Sequence, residues 1–261
     1  MDLSLTGRTA LVCGSTQGIG KAIAMEFAAA GATVILIARN KDSLMKTLGE
    51  LDNSHGQEHQ YLVADFGEPH SVKQAVEHFI TGKTVHLLVN NTGGPAPGPI
   101  TDSEPENFTK AFNQHIVNNQ QLVQLLLPGM RSAEYGRIIN IVSTSVKIPI
   151  ANLGVSNTIR AATAGWAKTL SLEVAKDGIT VNNILPGYTE TGRLDSLLKT
   201  NSEKQQVTPE ELAEKMKMQI PARRFGKPEE IAAVAAFLAS PAASYVNGTS
   251  IPVDGGSTGA F

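Results

Sequence analysis

Cysteine is nearly absent from this 261-residue chain, which has one, Cys13. A lone cysteine forms no internal disulfide, and at the end of an apolar run it reads as packing rather than chemistry. Aromatic residues are also scarce, at 5%, and neither sign of charge dominates. The balance of 22 basic against 24 acidic side chains gives a net charge of −2, without the basic excess that binds nucleic acid. No apolar run is long enough to span a bilayer; the longest, Ile231 to Ala239, is far too short. No signal pattern precedes the first apolar segment, and no repeat, low-complexity tract or interdomain linker is evident. The expectation is a cytoplasmic chain with no membrane partner, forming one domain over residues 1–261. Apolar residues, at 41%, are ample for a core.

The most informative stretch runs from Arg8 to Gly31: R-T-A-L-V-C-G-S-T-Q-G-I-G-K-A-I-A-M-E-F-A-A-A-G. Thr9 to Val12 read as a short buried strand. Gly14, Gly18 and Gly20 follow, then Ile19, Ile23, Ala24 and Phe27 at helical spacing, with Gly31 as the stop. Strand, glycine turn and helix in that order form a phosphate-binding start. Glycine lets backbone approach a pyrophosphate, and the helix offers unpaired N–H groups and a positive dipole end.

Further buried strands are predicted at Thr33–Ala38, Tyr61–Ala64, His86–Asn90, Arg137–Val142, Thr180–Leu185 and Ser250–Val253. Long helices are predicted over about 106–127 and 152–176, and a compact one over Pro228–Ala239. Residues 193–220 are polar and weakly periodic. Strands alternating with helices predict an α/β fold with a parallel sheet covered on both faces. Ligands of such sheets sit beyond the carboxyl ends of the strands. Gly14, Arg39, Asp65, Asn91, Ser143 and Gly187 all stand there.

On these residues the chain resembles the short-chain dehydrogenase/reductase family along nearly its whole length. G-S-T-Q-G-I-G, carrying Gly14, Ser15, Gln17, Gly18, Ile19 and Gly20, resembles the family's first-turn motif. V-N-N-T-G, with Asn91, Thr92 and Gly93, resembles its N-N-A-G. The tail segments R-F-G-K-P-E-E-I, F-L-A-S and V-D-G-G are similar to the bacterial 3-oxoacyl-carrier-protein reductase branch. The resemblance implies a Rossmann-type, doubly wound, parallel seven-stranded sheet and a nicotinamide cofactor. It implies that Asp65, with Phe66 beside it, holds the adenine ring. It also implies that Pro186, Gly187, Thr189 and Thr191 meet the nicotinamide carboxamide. A substrate lid is expected around 190–222, and a homotetramer through the two long helices and the tail from Ser250 to Phe261, with a dimer as the fallback.

The family's catalytic set is Asn, Ser, Tyr and Lys, and this chain keeps only the serine, Ser143. Where Y-x-x-x-K belongs stands Ser156-Asn157-Thr158-Ile159-Arg160. The match of A-A-T-A-G-W-A-K-T-L downstream fixes that register without gaps. His115 takes the place of the asparagine, with Asn118 and Asn119 one turn on. A serine hydroxyl cannot be tuned toward neutrality as a phenol can. Arg160 stays protonated, so it relays no proton, yet it can bind ribose hydroxyls or stabilise an alkoxide. His115 is then the candidate proton source. Each residue also has a plainer reading: Arg160 as a ribose and phosphate ligand, His115 as a satisfied helix residue, Ser156 as a helix start. Tyr188 is expected to pack rather than to supply a phenol.

Ala38 and Arg39 close the second strand where an NAD enzyme carries an acid for the ribose diol. Arg39 can pair with a 2′-phosphate, so NADP (NADPH) is expected over NAD. The expected activity is that of an NADP-dependent oxidoreductase moving a hydride between nicotinamide and a ketone or alcohol. A catalytically silent NADP(H)-binding sensor or partner subunit is the alternative. No metal site is expected.

Overall fold

Short runs of β-branched and aliphatic residues form the strands, at Thr9–Cys13 (β1), Thr33–Ala38 (β2), Gln60–Val63 (β3), Leu87–Asn90 (β4), Gly136–Ile141 (β5), Ile179–Pro186 (β6) and Ser250–Val253 (β7). The computed structural model describes residues 1–259; Ala260 and Phe261, the end of the tail expected to join in assembly, lie outside the described residues. All neighbouring strands pair in parallel, in the order β3-β2-β1-β4-β5-β6-β7. The order reverses between β1 and β4, and there the connections leave toward opposite faces and open a crevice.

The helices are Gly18–Ala29 (α1), Lys41–Leu48 (α2), Pro69–Phe79 (α3), Pro105–Phe112 (α4), Asn118–Ser132 (α5), Gly154–Val174 (α6), Gly192–Gln205 (α7), Pro209–Gln219 (α8) and Pro228–Ala239 (α9). Alternate side chains of each central strand enter two separate cores. Ala10, Val12, Leu36, Val89 and Ile139 pack with Ile23 and Phe27 of α1 and Ile231 and Ala235 of α9. Leu11, Ile35, Ile37, Leu88 and Ile138 pack with Val72 and Val76 of α3 and Leu122 and Leu126 of α5. Both faces of the central strands are buried, which is why those strands read as largely apolar runs. Cys13 lies within the second core, where burial pushes its thiol up to about 12 and leaves it inert.

Two segments depart from the sequence reading. The single helix expected over 106–127 is interrupted by a π-helical turn at Asn113–Val117. A widened turn shifts which side chains face inward, and here it buries His115 and Ile116. The helix also runs through Pro128 to Ser132, because the fully buried Met130 beyond the proline keeps the last turn against the sheet. The polar segment 193–220 forms α7 and α8. Leu194, Ile220 and Phe225 bury there with Leu197, Leu198 and Met216 in a small core of their own, while Met218 is exposed. Thr208 and Glu211 start α8 with a reciprocal capping box.

A row of polar side chains crosses the sheet under this apolar cover. Asn90 Nδ2 donates to Asn140 Oδ1 at 2.8 Å, Asn140 Nδ2 to Asn183 Oδ1 at 2.9 Å, and Asn183 Nδ2 to Ser250 Oγ at 3.0 Å. The four residues stand in register on β4, β5, β6 and β7. A slip of one residue in any of these strands would turn its polar side chain to the other face and break its links. Asn140→Val strands one donor and one acceptor in a dry interior, each costing about 1–3 kcal/mol. The expected loss is roughly 2–6 kcal/mol by urea unfolding, and a loss below about 1 kcal/mol would mean that the row is not a determinant of stability.

Candidate active site

The site begins where β1 gives out. The chain turns through Gly14 and Gly18 with positive φ, 58° and 52°, a region glycine enters freely. A Cβ on Gly14 would lie 2.6 Å from the Asn91 carbonyl oxygen, and one on Gly20 would lie 2.2 Å from the Gly14 oxygen. Neither fits. Asn91 Nδ2 donates to the carbonyls of Cys13 and Gly14 at 3.2 and 3.3 Å, binding the end of β4 to the turn. The buried Ser15 Oγ accepts from Ile37 N at 3.1 Å and binds the turn to β2.

Ser15 and Gly20, expected among the cofactor contacts, therefore support the turn from behind and do not line the cavity. Gly14, Thr16, Gln17, Gly18 and Ile19 do. Gln17 contributes no side-chain cap to α1, so the N–H groups of the first turn remain for an anion.

The cavity measures about 610 Å³ and follows the carboxyl ends of the strands. Ala38 and Arg39 line it after β2, and Asp65 and Phe66 after β3. Arg39 is exposed and makes no ion pair among the described residues. Asp65 Oδ1 accepts from Gly67 N at 2.8 Å, which orients the carboxylate. Asn91, Thr92 and Gly93 line the middle. Pro186, Gly187, Thr189 and Thr191 line the side after β6. Thr189 Oγ1 donates to Gly187 O at 3.1 Å and Thr191 Oγ1 to Thr189 O at 3.3 Å, folding this loop on itself. Thr191 then packs over Gly18, its Cγ2 at 3.0 Å from where a Cβ would stand.

These features suit a dinucleotide carrying a 2′-phosphate. The uncapped helix start can take a pyrophosphate, and Arg39 makes no ion pair among the described residues that would compete for its charge. No group of three or more His, Cys, Asp or Glu that could hold a metal occurs among the described residues.

Ser143, Ser156 and Arg160 line the same cavity. Ser143 sits in extended backbone after β5, and its Oγ accepts from Ser145 N at 3.1 Å. Ser156 lies in the first turn of α6, with Arg160 one turn on and on the same face. Arg160 Nη1 donates to Ile141 O at 2.9 Å. Burial, and secondarily the charge of Arg193, lower its pKa to about 10, so it remains a cation at neutral pH.

His115 does not fit the role of proton source. It is 3% exposed and absent from the cavity wall. Its Nδ1 bonds Thr92 Oγ1 at 2.7 Å, and its Nε2 is buried without a partner. Burial, and then Arg160, lower its pKa to about 3, so the ring is neutral and holds no spare proton. The π-helical turn carries it inward, behind Thr92.

Residues beyond the expected set also line the cavity, among them Thr16, Gly94, Gln114, Tyr188 and Arg193. Gln114 reaches the wall from the π-helical turn, donating from Nε2 to Gly93 O at 3.2 Å. Tyr188 packs edge-on to Phe225, ring centres 6.3 Å apart, and burial raises its pKa. Arg193 sits in a segment without a motif; the placement of Gly192 just after the Pro-Gly loop was the available signal.

The chain matches a family model described as enoyl-(acyl carrier protein) reductase over residues 14–258. It is 34% identical to the NADPH-dependent reductase BacG of Bacillus subtilis, covering 97% of this chain and 98% of that one. It is 35% identical to the 3-oxoacyl-[acyl-carrier-protein] reductase FabG of Pseudomonas aeruginosa, again over 97% and 98%. The solved L-sorbose reductase of Gluconobacter frateurii, complexed with NADPH and L-sorbose, superposes with a TM-score of 0.93 at 31% identity over the full length of both chains.

The depressed pKa of His115 has a consequence for stability. Between its ordinary 6.5 and about 3 the unfolded chain carries a proton that the folded chain refuses. The histidine's contribution is therefore whole above pH 6.5 and is lost progressively as pH falls toward 3. From about pH 7.5 to about pH 5 the wild type should lose roughly 2 kcal/mol more stability than His115→Asn in urea unfolding. Equal losses in the two proteins would show that the ring is not held neutral.

Proposed function

This chain belongs to the short-chain dehydrogenase/reductase family, and on that premise we propose that it is an NADP-dependent carbonyl reductase, interconverting a ketone and an alcohol. The observation that carries this is the Ala38–Arg39 pair at the end of β2, beside an uncapped α1 and at the edge of the cavity. The relatives support it: one is named an NADPH-dependent reductase, and the sorbose reductase holds NADPH. NADPH supplies a hydride when bound. The N–H groups at the start of α1 hold its pyrophosphate, Arg39 its 2′-phosphate, and Asp65 with Phe66 its adenine. Asn91, Thr92, Gly93, Pro186, Gly187, Thr189 and Thr191 hold the nicotinamide half.

At the reacting end Ser143 and Ser156 donate to the substrate oxygen. Arg160 stabilises the negative charge that grows there, as a fixed cation in a partly dry site. The proton that completes the alcohol comes from solvent, since His115 is neutral and outside the cavity. Helices α7 and α8 form the substrate lid over residues 190–222 of a single domain. A silent binder is the second reading, favoured by one observation: among the described residues no histidine lines the cavity, and burial raises the pKa of Tyr188, the phenol that does. Assembly as a homotetramer is part of the same proposal, supported by Phe112 on α4 and Leu172 on α6, 45% and 71% exposed. No helix among the described residues is long and apolar enough to cross a membrane.

Three measurements test this reading. Arg39→Asp should weaken NADPH binding roughly tenfold to a hundredfold, the worth of one charged contact, and leave NADH binding nearly unchanged. Equal loss for both would remove Arg39 from the 2′-phosphate. Arg160→Ala should reduce kcat by about a hundredfold or more against a panel of ketones, β-ketoacyl thioesters and quinones, with NADPH still bound. A wild type that binds NADPH and oxidises it with none of the panel would establish the silent binder. Light scattering at micromolar concentration should give a tetramer mass, and a monomer would contradict the assembly.

A further inference from the structure

Arg160 and Arg193 reach the same cavity from different elements, the first from α6 and the second from the start of α7. Their Nη2 atoms lie 3.5 and 3.7 Å from the position a Cβ would take on Gly94. The two guanidinium ends thus converge on one point beyond β4. Backbone carbonyls hold both in place: Arg160 Nη1 donates to Ile141 O at 2.9 Å, and Arg193 Nη2 to Pro95 O at 2.7 Å. Carbonyls fix the planes but neutralise no charge.

Neither arginine forms an ion pair among the described residues. Glu190 and Asp195 flank Arg193 in sequence, yet neither lines the cavity. Asp65 is the acidic side chain that does, among the described residues, and it lies at the far end, after β3. Two like charges held together without a counter-ion repel, and the lowered pKa of Arg160 carries that signature, with Arg193 as its second cause. An anion between them would relieve the repulsion. A carboxylate has the right span, because its two oxygens can each accept a charge-assisted bond of roughly 2.8 Å from a different guanidinium.

Ser143 and Ser156 line the same cavity, Ser143 just after the Ile141 carbonyl that Arg160 binds and Ser156 one helical turn before Arg160. We infer that the substrate is a 2-oxo acid, or the corresponding 2-hydroxy acid in the reverse direction, whose carboxylate is clamped between Arg160 and Arg193 while its carbonyl oxygen meets Ser143 and Ser156. The adjacency of carboxylate and carbonyl in a 2-oxo acid lets Arg160 serve both oxygens, which a neutral ketone or a thioester does not require. The inference names the substrate class for the reductase activity proposed above and rests on that reading for the chemistry, but not for the binding.

The test pairs 2-oxopentanoate with its methyl ester, which keeps the carbonyl and removes the charge. In NADPH oxidation the wild type should prefer the acid by at least about tenfold in kcat/KM. Arg193→Met should cut that acid-over-ester ratio at least about tenfold, and Arg193→Lys should restore part of it. Calorimetry of 2-oxopentanoate with the NADP⁺-loaded protein, in which no turnover occurs, should show binding that Arg193→Met weakens by a similar factor. NADPH affinity, followed by its fluorescence, should shift much less. Acid binding that depends on Arg193 without any turnover would support the clamp and sink the reductase. Reduction of the ester and of neutral ketones as readily as the acid would support the reductase and overturn the clamp. Absence of acid binding would overturn it too. So would an Arg193→Met loss as large for NADPH as for the acid, because the pair would then be holding a cofactor phosphate.

Discussion

Backbone meets backbone at the first turn of this protein, and the cavity exists because of it. Gly20 lies against the carbonyl of Gly14 so closely that a single methyl group has no room, and Asn91 reaches over both to take the carbonyls at the end of β1. The contact draws together the end of β1, the start of α1 and the end of β4, the three elements at the point where strand order reverses. Ser15 adds β2 from below. With these fixed, the first-turn N–H groups of α1 face the crevice, and Thr191 can close over Gly18 from the other side. A side chain at Gly14 or Gly20 would part β1 from β4 and remove the floor of the site.

The sheet beneath is held to one register by two different forces. Apolar side chains on alternate faces supply most of the stabilisation, since both faces are buried. That force is tolerant of small shifts. The polar row from Asn90 to Ser250 is not, because each amide offers its donor and acceptor in a set direction. The strand ends carry the site residues, so the precision with which Asn91, Ser143 and Gly187 meet depends on the register of β4, β5 and β6.

In the proposed function Ser156 and Arg160, standing where the resemblance places tyrosine and lysine, trade proton transfer for fixed charge. A phenol beside an ammonium can be tuned to give a proton near neutrality; a serine beside a guanidinium cannot. What remains is a strong cation in a partly dry wall, joined by a second from Arg193. His115 adds no proton, because the same burial that secures its bond to Thr92 also strips it of charge. On the proposed reading the chemistry of this cavity is electrostatic: it holds negative charge on a substrate oxygen or on a carboxylate, and it leaves protonation to water.

The sequence by itself determined the fold class, because apolar strand runs, glycine spacing and helical stripes are local signals, each written in consecutive residues. It pointed to the strands to within a residue or two, to the doubly wound order through its resemblance, and to Gly14, Gly18, Asn91, Arg39, Ser143, Ser156 and Arg160, which line one cavity. Tertiary structure decided the rest, wherever the cause lies in a distant partner. Ser15 points away from the cavity because an amide of β2 needs an acceptor. A π-helical turn that no periodicity announces sets His115 behind Thr92, and burial then fixes its charge. Arg193 approaches Arg160 only because α7 begins where the loop after β6 folds back over the glycine turn. Spacing along the chain carries no record of such meetings, since they arise from segments well separated in sequence that share only the packing of the folded chain.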